Sequence, residues 1–293
     1  METKHSERPS AEWLTGVITN FVAASPLNGV DAPLGEKMWD VPLVGFSRGD
    51  DPVYQEYKSH IGSFFWTPQE IFQLTFPDLE SVPQDLTVIS WILPQTRATK
   101  DENAARKVYP SRRWIITRDS GEKFNVTLRR HVVETLMQTG ILAVAPLLSP
   151  HWSRQTSRRY GFASNWSERH AAHAGGLGTF GLCDGLITPL GKAVRAGSVV
   201  AKLTIPATSR PYQNHQEYCL FYSHGTCQEC VQRCPVKALS SSGHDKDRCN
   251  QHLRSTPKYI LKNYSIDMNG CCGLCQVGVP CESQIPSISA QSG

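Results

Sequence analysis

Apolar and polar positions along the first two-thirds of the chain follow two alternating periods. Leu86–Leu93 (LTVISWIL) is a nearly unbroken β-rich run closed by Pro94, the pattern of a buried strand. Phe124, Leu128, Val132 and Leu136 recur every four residues, which predicts a helix with one apolar face that stops at Gly140. Ile141–Leu148 is another apolar run, closed by Pro150, and Arg195–Ile205 reads as a last strand before Pro206. Strand, helix and strand in that order predict an α/β (α+β) layer. From Pro206 to Gln216 the chain is polar and Pro-containing, which marks a junction. Beyond it, hydrophobic periodicity gives way to cysteine spacing. The expected organisation is an α/β domain over residues 1–205 and a small domain over 206–293.

Composition narrows the class. Thirty Lys and Arg against 26 Asp and Glu leave a net charge of +4, too small and dispersed to suggest a nucleic-acid surface. No run approaches the roughly 18 apolar residues of a membrane helix. The opening residues METKHSERPSAEW hold no apolar leader core, and Arg112-Arg113 lies mid-chain, so the expected location is cytoplasmic, with no membrane partner. Ten cysteines occur; the first is Cys183, and nine fall between Cys219 and Cys281. In a reducing compartment such clustering points to metal before disulfides.

The spacing within the cluster is specific. Cys227-x2-Cys230-x3-Cys234-Pro235 matches the last three cysteines and the proline of the bacterial ferredoxin run. The further cysteine expected three residues before Cys227 is His224, and Cys219, with Gly225 to fold the loop back, is the natural substitute. The second half supplies Cys249, Cys271-Cys272-x2-Cys275 and Cys281. In two-cluster ferredoxins the pre-proline cysteine of each half ligates the other half's cluster. That exchange assigns Cys219, Cys227, Cys230 and Cys281 to one [4Fe–4S] cluster and Cys234, Cys249, Cys272 and Cys275 to a second. Cys271 is the alternative to Cys272, and Cys183 reads as a buried small hydrophobe. Two Cys-x2-Cys pairs would also suit one structural zinc, but zinc leaves Cys219, Cys234, Cys249 and Cys281 without a role. Arg233, Lys237, Lys246, Arg248, Lys258 and Lys262 are near enough in sequence to offset the negative charge of such clusters, or to form an ordinary solvated surface.

Upstream, Gly176, Gly178 and Gly181 fit G-x-G-x-x-G, but a polar, Ala- and His-rich segment precedes them, so they do not form a dinucleotide site. Glycines this dense let backbone approach a large flat ligand or another backbone. The order Glu168-Arg169, Ala-rich turn, Gly-Leu-Gly-x-x-Gly, Leu186-Ile187-Thr188-Pro189, strand, then two ferredoxin motifs resembles the epoxyqueuosine reductases and reductive dehalogenases. The likeness runs from about Ser167 to Pro286 and is nearest to short epoxyqueuosine reductase-like iron–sulfur proteins. It implies a nitroreductase-like α/β domain that binds cobalamin base-off, with two [4Fe–4S] clusters feeding electrons to the cobalt. It also implies that Gly176, Gly178, Gly181, Leu186, Ile187, Thr188 and Pro189 line the corrinoid pocket. Three features depart from the pattern. Tyr160–Asn165 contains no acid where the reductases carry a proton donor, no tRNA-binding repeats follow, and no twin-arginine signal is present. A small-molecule substrate is therefore expected rather than tRNA.

Other candidates for chemistry are sparse. Asp50 and Asp51 sit in a turn-like loop where they could donate protons or simply cap a helix. Tyr160 could stand in for the missing acid. His170 and His173, three apart near Glu168, could reach a ligand or merely pack. The expected activity is a reductase drawing electrons from a ferredoxin or flavodoxin. The alternative is a ferredoxin-type module that passes electrons to a partner protein or a partner's corrinoid.

Overall fold

The computed structural model describes residues 9–30 and 36–287. Helix α1 (Ala11–Ala24) leads to strand β1 (Leu43–Arg48), helices α2 (Val53–Ile61) and α3 (Pro68–Thr75), and strand β2 (Thr87–Pro94). Helices α4 (Arg97–Ala104) and α5 (Arg112–Gln138) follow, then β3 (Ala143–Val144) and a hairpin of β4 (Arg154–Ser157) with β5 (Gly161–Ser164). Helix α6 (Glu168–Ala174) precedes a second hairpin, β6 (Thr179–Phe180) with β7 (Leu186–Ile187), and strand β8 (Val194–Ala201). The cysteine region holds α7 (Leu220–His224), α8 (Glu229–Gln232), β9 (Leu239–Ser240), β10 (Gly243–His244) and α9 (Lys246–Tyr264).

The central sheet has the order β1-β2-β8-β3. Each β2 residue is buried because helices cover both faces of the sheet. Ile89, Trp91 and Leu93 face Leu14, Ile18 and Val22 of α1 and Phe124, Leu128, Val132 and Leu136 of α5. Val88, on the opposite pleat, joins Val53, Tyr54 and Tyr57 of α2, Ile71 and Phe72 of α3, and Ala171 and Ala174 of α6. The strand-like run therefore becomes a strand of the central sheet, and the four-residue apolar repeat becomes the face of α5 that covers one side of it, in a helix–sheet–helix sandwich. Gly140, at φ +81°, takes the left-handed turn that ends α5.

Two expectations change in detail. Every pairing in the sheet is antiparallel, so of α/β and α+β the latter describes it. β2 and β3 flank β8 and run parallel to each other, so α4 and α5 between them form a crossover split by the antiparallel β8. The apolar run 141–148 yields only the two-residue strand β3, because Pro146 opens a 3₁₀ turn in place of a ladder position. Among the described residues no helix is long and apolar enough to cross a membrane.

The cysteine region packs directly on this sandwich. Trp114 and Ile115 of α5 and Ala193 share an apolar cluster with Ile260, Cys271 and Val277.

Candidate metal centre

The first group of thiols is gathered by short elements with sharp ends. Cys219 caps the start of α7, and Gly225 at φ +68° turns the chain back so that Cys227 comes just before α8 and Cys230 lies on it. Cys281 arrives from the far end of the region because its carbonyl accepts from Lys192 N at 2.9 Å. Cys219, Cys227, Cys230 and Cys281 line one space together with Lys192 and apolar residues such as Leu182, Ile187 and Val279.

A second group forms around Cys272. Its thiol is pushed up to about 11, first by burial and then by Cys249 and Cys234 nearby, against a backbone hydrogen bond that lowers it. Cys234 Sγ accepts from Ala238 N at 3.1 Å, the turn that follows the Cys-Pro step. Cys275 is also close to Cys272, and a hydrogen bond with Cys183, then burial, raises its thiol. Cys271 points the other way, into the apolar cluster with Trp114 and Ile260, and burial raises it to about 12. Of the adjacent pair, Cys272 is the one beside Cys234 and Cys249.

Two residues that sequence reasoning passed over enter this site. Cys183 is buried, yet it packs against thiols as well as apolar side chains, with Cys230 and Cys275 both within hydrogen-bonding reach. Lys192 is only 3% exposed, and its Nζ donates to Cys183 Sγ at 3.4 Å. Burial works against its charge, but Cys183, Cys281, Cys230 and Cys275 outweigh this and raise its pKa. The signal for both residues lay in the glycine segment, where Gly181 and Gly185 bracket Cys183 at a hairpin tip. Of the cations nearer in sequence, Arg233 acts on the Cys272 thiol and its Nε donates to the Leu274 and Val277 carbonyls at 3.3 and 3.1 Å, while Arg248 Nη1 donates to the Lys237 carbonyl at 3.3 Å. His244 pairs with Asp184 at 3.0 Å; burial would depress it, but its bonds to Asp184 and Cys249 lift it to about 10.

These residues fit iron–sulfur clusters. Thiolates are the donors such clusters take, and each group offers four. A nearly fully buried ammonium with no carboxylate beside it among the described residues is costly unless negative charge is supplied there. Among the described residues, no three His, Cys, Asp or Glu side chains are arranged to hold a single metal ion.

The glycine segment packs closely against its own chain. A Cβ on Gly176 would lie 2.6 Å from the Ser209 carbonyl oxygen, and one on Gly178 would lie 2.2 Å from that of Ile187. These glycines admit the chain's own backbone, and Leu186, Ile187 and Thr188 are buried in the same packing, with Pro189 exposed. Gly181 backs onto the Ile187 side chain at 3.2 Å and lines the first thiol group's space.

The remaining candidates do not converge. Asp50 is bound by Arg48 through two contacts of 2.7 Å. Asp51 accepts from Val53 N at 3.0 Å at the start of α2 and pairs with Arg210 at 2.9 Å. Tyr160 is 42% exposed at the β4–β5 turn, with Arg159 and Lys246 over its ring at 5.3 and 5.9 Å. Glu168 turns away from the histidines and accepts from Arg129 Nε at 2.9 Å and from the Ser198 hydroxyl.

His173 is buried, and its Nδ1 meets the Tyr57 hydroxyl at 2.5 Å; His170 Nδ1 lies 2.9 Å from Ser167 Oγ. Burial, with nearby cations, lowers His170 to about 3 and His173 to about 4, from an ordinary 6.5. The unfolded chain binds protons on these rings below about 6.5 while the folded chain does not, so stability is lost as pH falls. For His173 the drop from pH 7 to 5 is expected to cost about 2 kcal/mol. Urea denaturation at both values measures it; His173→Gln should lose about 2 kcal/mol less over that interval. Equal losses in both proteins would refute the assignment.

No protein-family model and no curated protein matches this chain. Its fold is similar to part of a solved reductive dehalogenase. The catabolic dehalogenase NpRdhA, solved with 3-bromo-4-hydroxybenzoic acid, superposes with a TM-score of 0.51 at 15% identity, covering 94% of this chain and 37% of its own. Epoxyqueuosine reductase from Bacillus subtilis gives 0.39 at 15% identity over 84% of this chain and 65% of its own. An epoxyqueuosine reductase with a tRNA-Tyr stem loop gives 0.40 at 16% identity over 82% and 61%. The chain thus spans little more than a third of the dehalogenase and under two thirds of the reductases.

Proposed function

We propose that this chain is an iron–sulfur oxidoreductase that carries electrons through two [4Fe–4S] clusters. The observation that supports it most is the pair of four-thiol groups with Lys192 buried among them. Residues 206–293 would form the cluster-bearing unit on the 1–205 sandwich. Cys219, Cys227, Cys230 and Cys281 would hold one cluster, and Cys234, Cys249, Cys272 and Cys275 the other. Such clusters supply one-electron transfer at potentials set by their surroundings. The chain's own part is to bind them, to exclude water with Leu182, Ile187 and Val279, and to balance their charge with Lys192. A ferredoxin or flavodoxin is the electron donor in this reading.

The motif resemblance adds a second reading, in which the electrons reach a base-off cobalamin that reduces a small substrate. The filled space beside Gly176 and Gly178 favours a partner protein as acceptor instead. Anaerobic reconstitution followed by iron analysis and EPR tests the clusters: about eight iron atoms per chain are expected, and about one metal atom would refute the proposal. Titration with cob(II)alamin then distinguishes the acceptors. The free-cobalamin spectrum is expected to persist beside intact cluster signals. A base-off cobalt signal saturating at one equivalent would overturn that expectation and make a corrinoid the acceptor.

A further inference from the structure

The β6–β7 hairpin reaches from the sandwich into the cysteine region, and its tip brings in a group that neither four-thiol set requires. The tip is held firmly: Gly181 N donates to the Gly185 carbonyl at 2.8 Å, Asp184 N to the Gly181 carbonyl at 2.9 Å, and the Asp184 carboxylate pairs with His244 at 3.0 Å. Cys183 on this tip has Cys230 of the first set and Cys275 of the second within hydrogen-bonding reach. It does not line the space enclosed by the first set, and the second set already has four thiols. Lys192 does line that space, and its Nζ donates to Cys183 Sγ at 3.4 Å.

We propose that Cys183 and Lys192 form a potential-setting pair at the boundary between the two thiol groups, with Cys183 holding a buried positive charge where both groups feel it. The inference rests on the two-cluster reading. A cluster bound by four thiolates gains a further negative charge on reduction. A fixed ammonium in a low-dielectric site therefore stabilises the reduced form more than the oxidised form and raises the potential. Neither residue would be a ligand; both are positioning residues.

The test is an EPR-monitored redox titration of the full chain, reconstituted anaerobically, with iron counted in every sample. In Lys192→Met the reduced-to-oxidised ratio of one cluster at its wild-type midpoint is expected to fall about tenfold, a shift of about 59 mV for a one-electron couple. Cys183→Ala, which frees the Lys192 ammonium from its sulfur partner, should shift the same cluster and keep about eight iron atoms. Lys192→Gln, closer to lysine in length and polarity, gives the measurement if Lys192→Met loses iron. Wild-type potentials in the iron-replete lysine variants would overturn the inference. So would iron loss in both of them, and so would Cys183→Ala retaining only about four iron atoms, since Cys183 would then be a ligand. A wild-type protein that does not take up about eight iron atoms would instead defeat the two-cluster reading beneath it.

Discussion

Cys230→Ala, reconstituted anaerobically, is expected to hold about four iron atoms where the wild-type chain holds about eight. Cys230 is buried on α8, lines one space with Cys219, Cys227 and Cys281, and touches Cys183. A methyl group there offers no thiolate, and no spare cysteine lines that space. Cys275→Ala should lose the other half of the iron by the same reasoning. Cys271→Ala is the control. That thiol faces Trp114 and Ile260, away from Cys234 and Cys249, so its removal should leave iron content unchanged. Iron analysis and the EPR of the reduced proteins read all three variants. Retention of about eight iron atoms in Cys230→Ala and Cys275→Ala would rule out the ligand assignment.

The second large effect lies in the sandwich. Arg129 on α5 is 1% exposed, and its guanidinium binds Glu168 at 2.9 Å, Glu122 at 3.2 Å and the Ala196 carbonyl at 3.4 Å. It ties three elements together: α5, α6 and β8. Arg129→Ala would leave the Glu168 carboxylate buried without its cation, at an expected cost of about 3–5 kcal/mol in unfolding free energy. Burial already raises Glu168 despite Arg129 beside it, so the penalty falls on a carboxylate poorly placed to stay charged alone. Replacing both residues, as Arg129→Met with Glu168→Met, removes the stranded charge and should recover most of the loss. Denaturant melts of the single and double variants measure both effects. A single-variant loss below about 1 kcal/mol would show the pair to be dispensable.

The parts of this molecule legible in the sequence are those governed by local period or fixed spacing. The run 86–93 and the four-residue repeat 124–136 could be read because each encodes its own burial, on both faces for the strand and on one stripe for the helix. The cysteine spacing could be read because a short loop limits which thiols can meet. Sheet direction could not, since nothing in 141–148 announces that Pro146 stops the strand after two residues. Strand β1 and the α1 face were passed over although Leu14, Ile18 and Val22 are core residues. Cys183 and Lys192 escaped for a different reason. Their neighbours, Cys230, Cys275 and Cys281, lie far along the chain, and an isolated cysteine or lysine carries no periodic signal. The glycines allowed two readings, a flat ligand or a second backbone, and the backbones of Ser209 and Ile187 come close at Gly176 and Gly178.

The docking of Cys281 also sets an order of events during synthesis. Residues Cys281 and Glu282 pair with the backbone of Lys192 and Ala193, at 2.9 and 3.2 Å, and only a glycine at 191 lets the Glu282 carbonyl pass so close. The set of thiols lining the first space therefore remains open until the last cysteine has left the ribosome and found a strand entrance made some ninety residues earlier. The set around Cys272 is complete once Cys275 emerges and needs no such return journey. On the proposed two-cluster reading, a chain stopped between 276 and 280 is expected to hold about four iron atoms after anaerobic reconstitution.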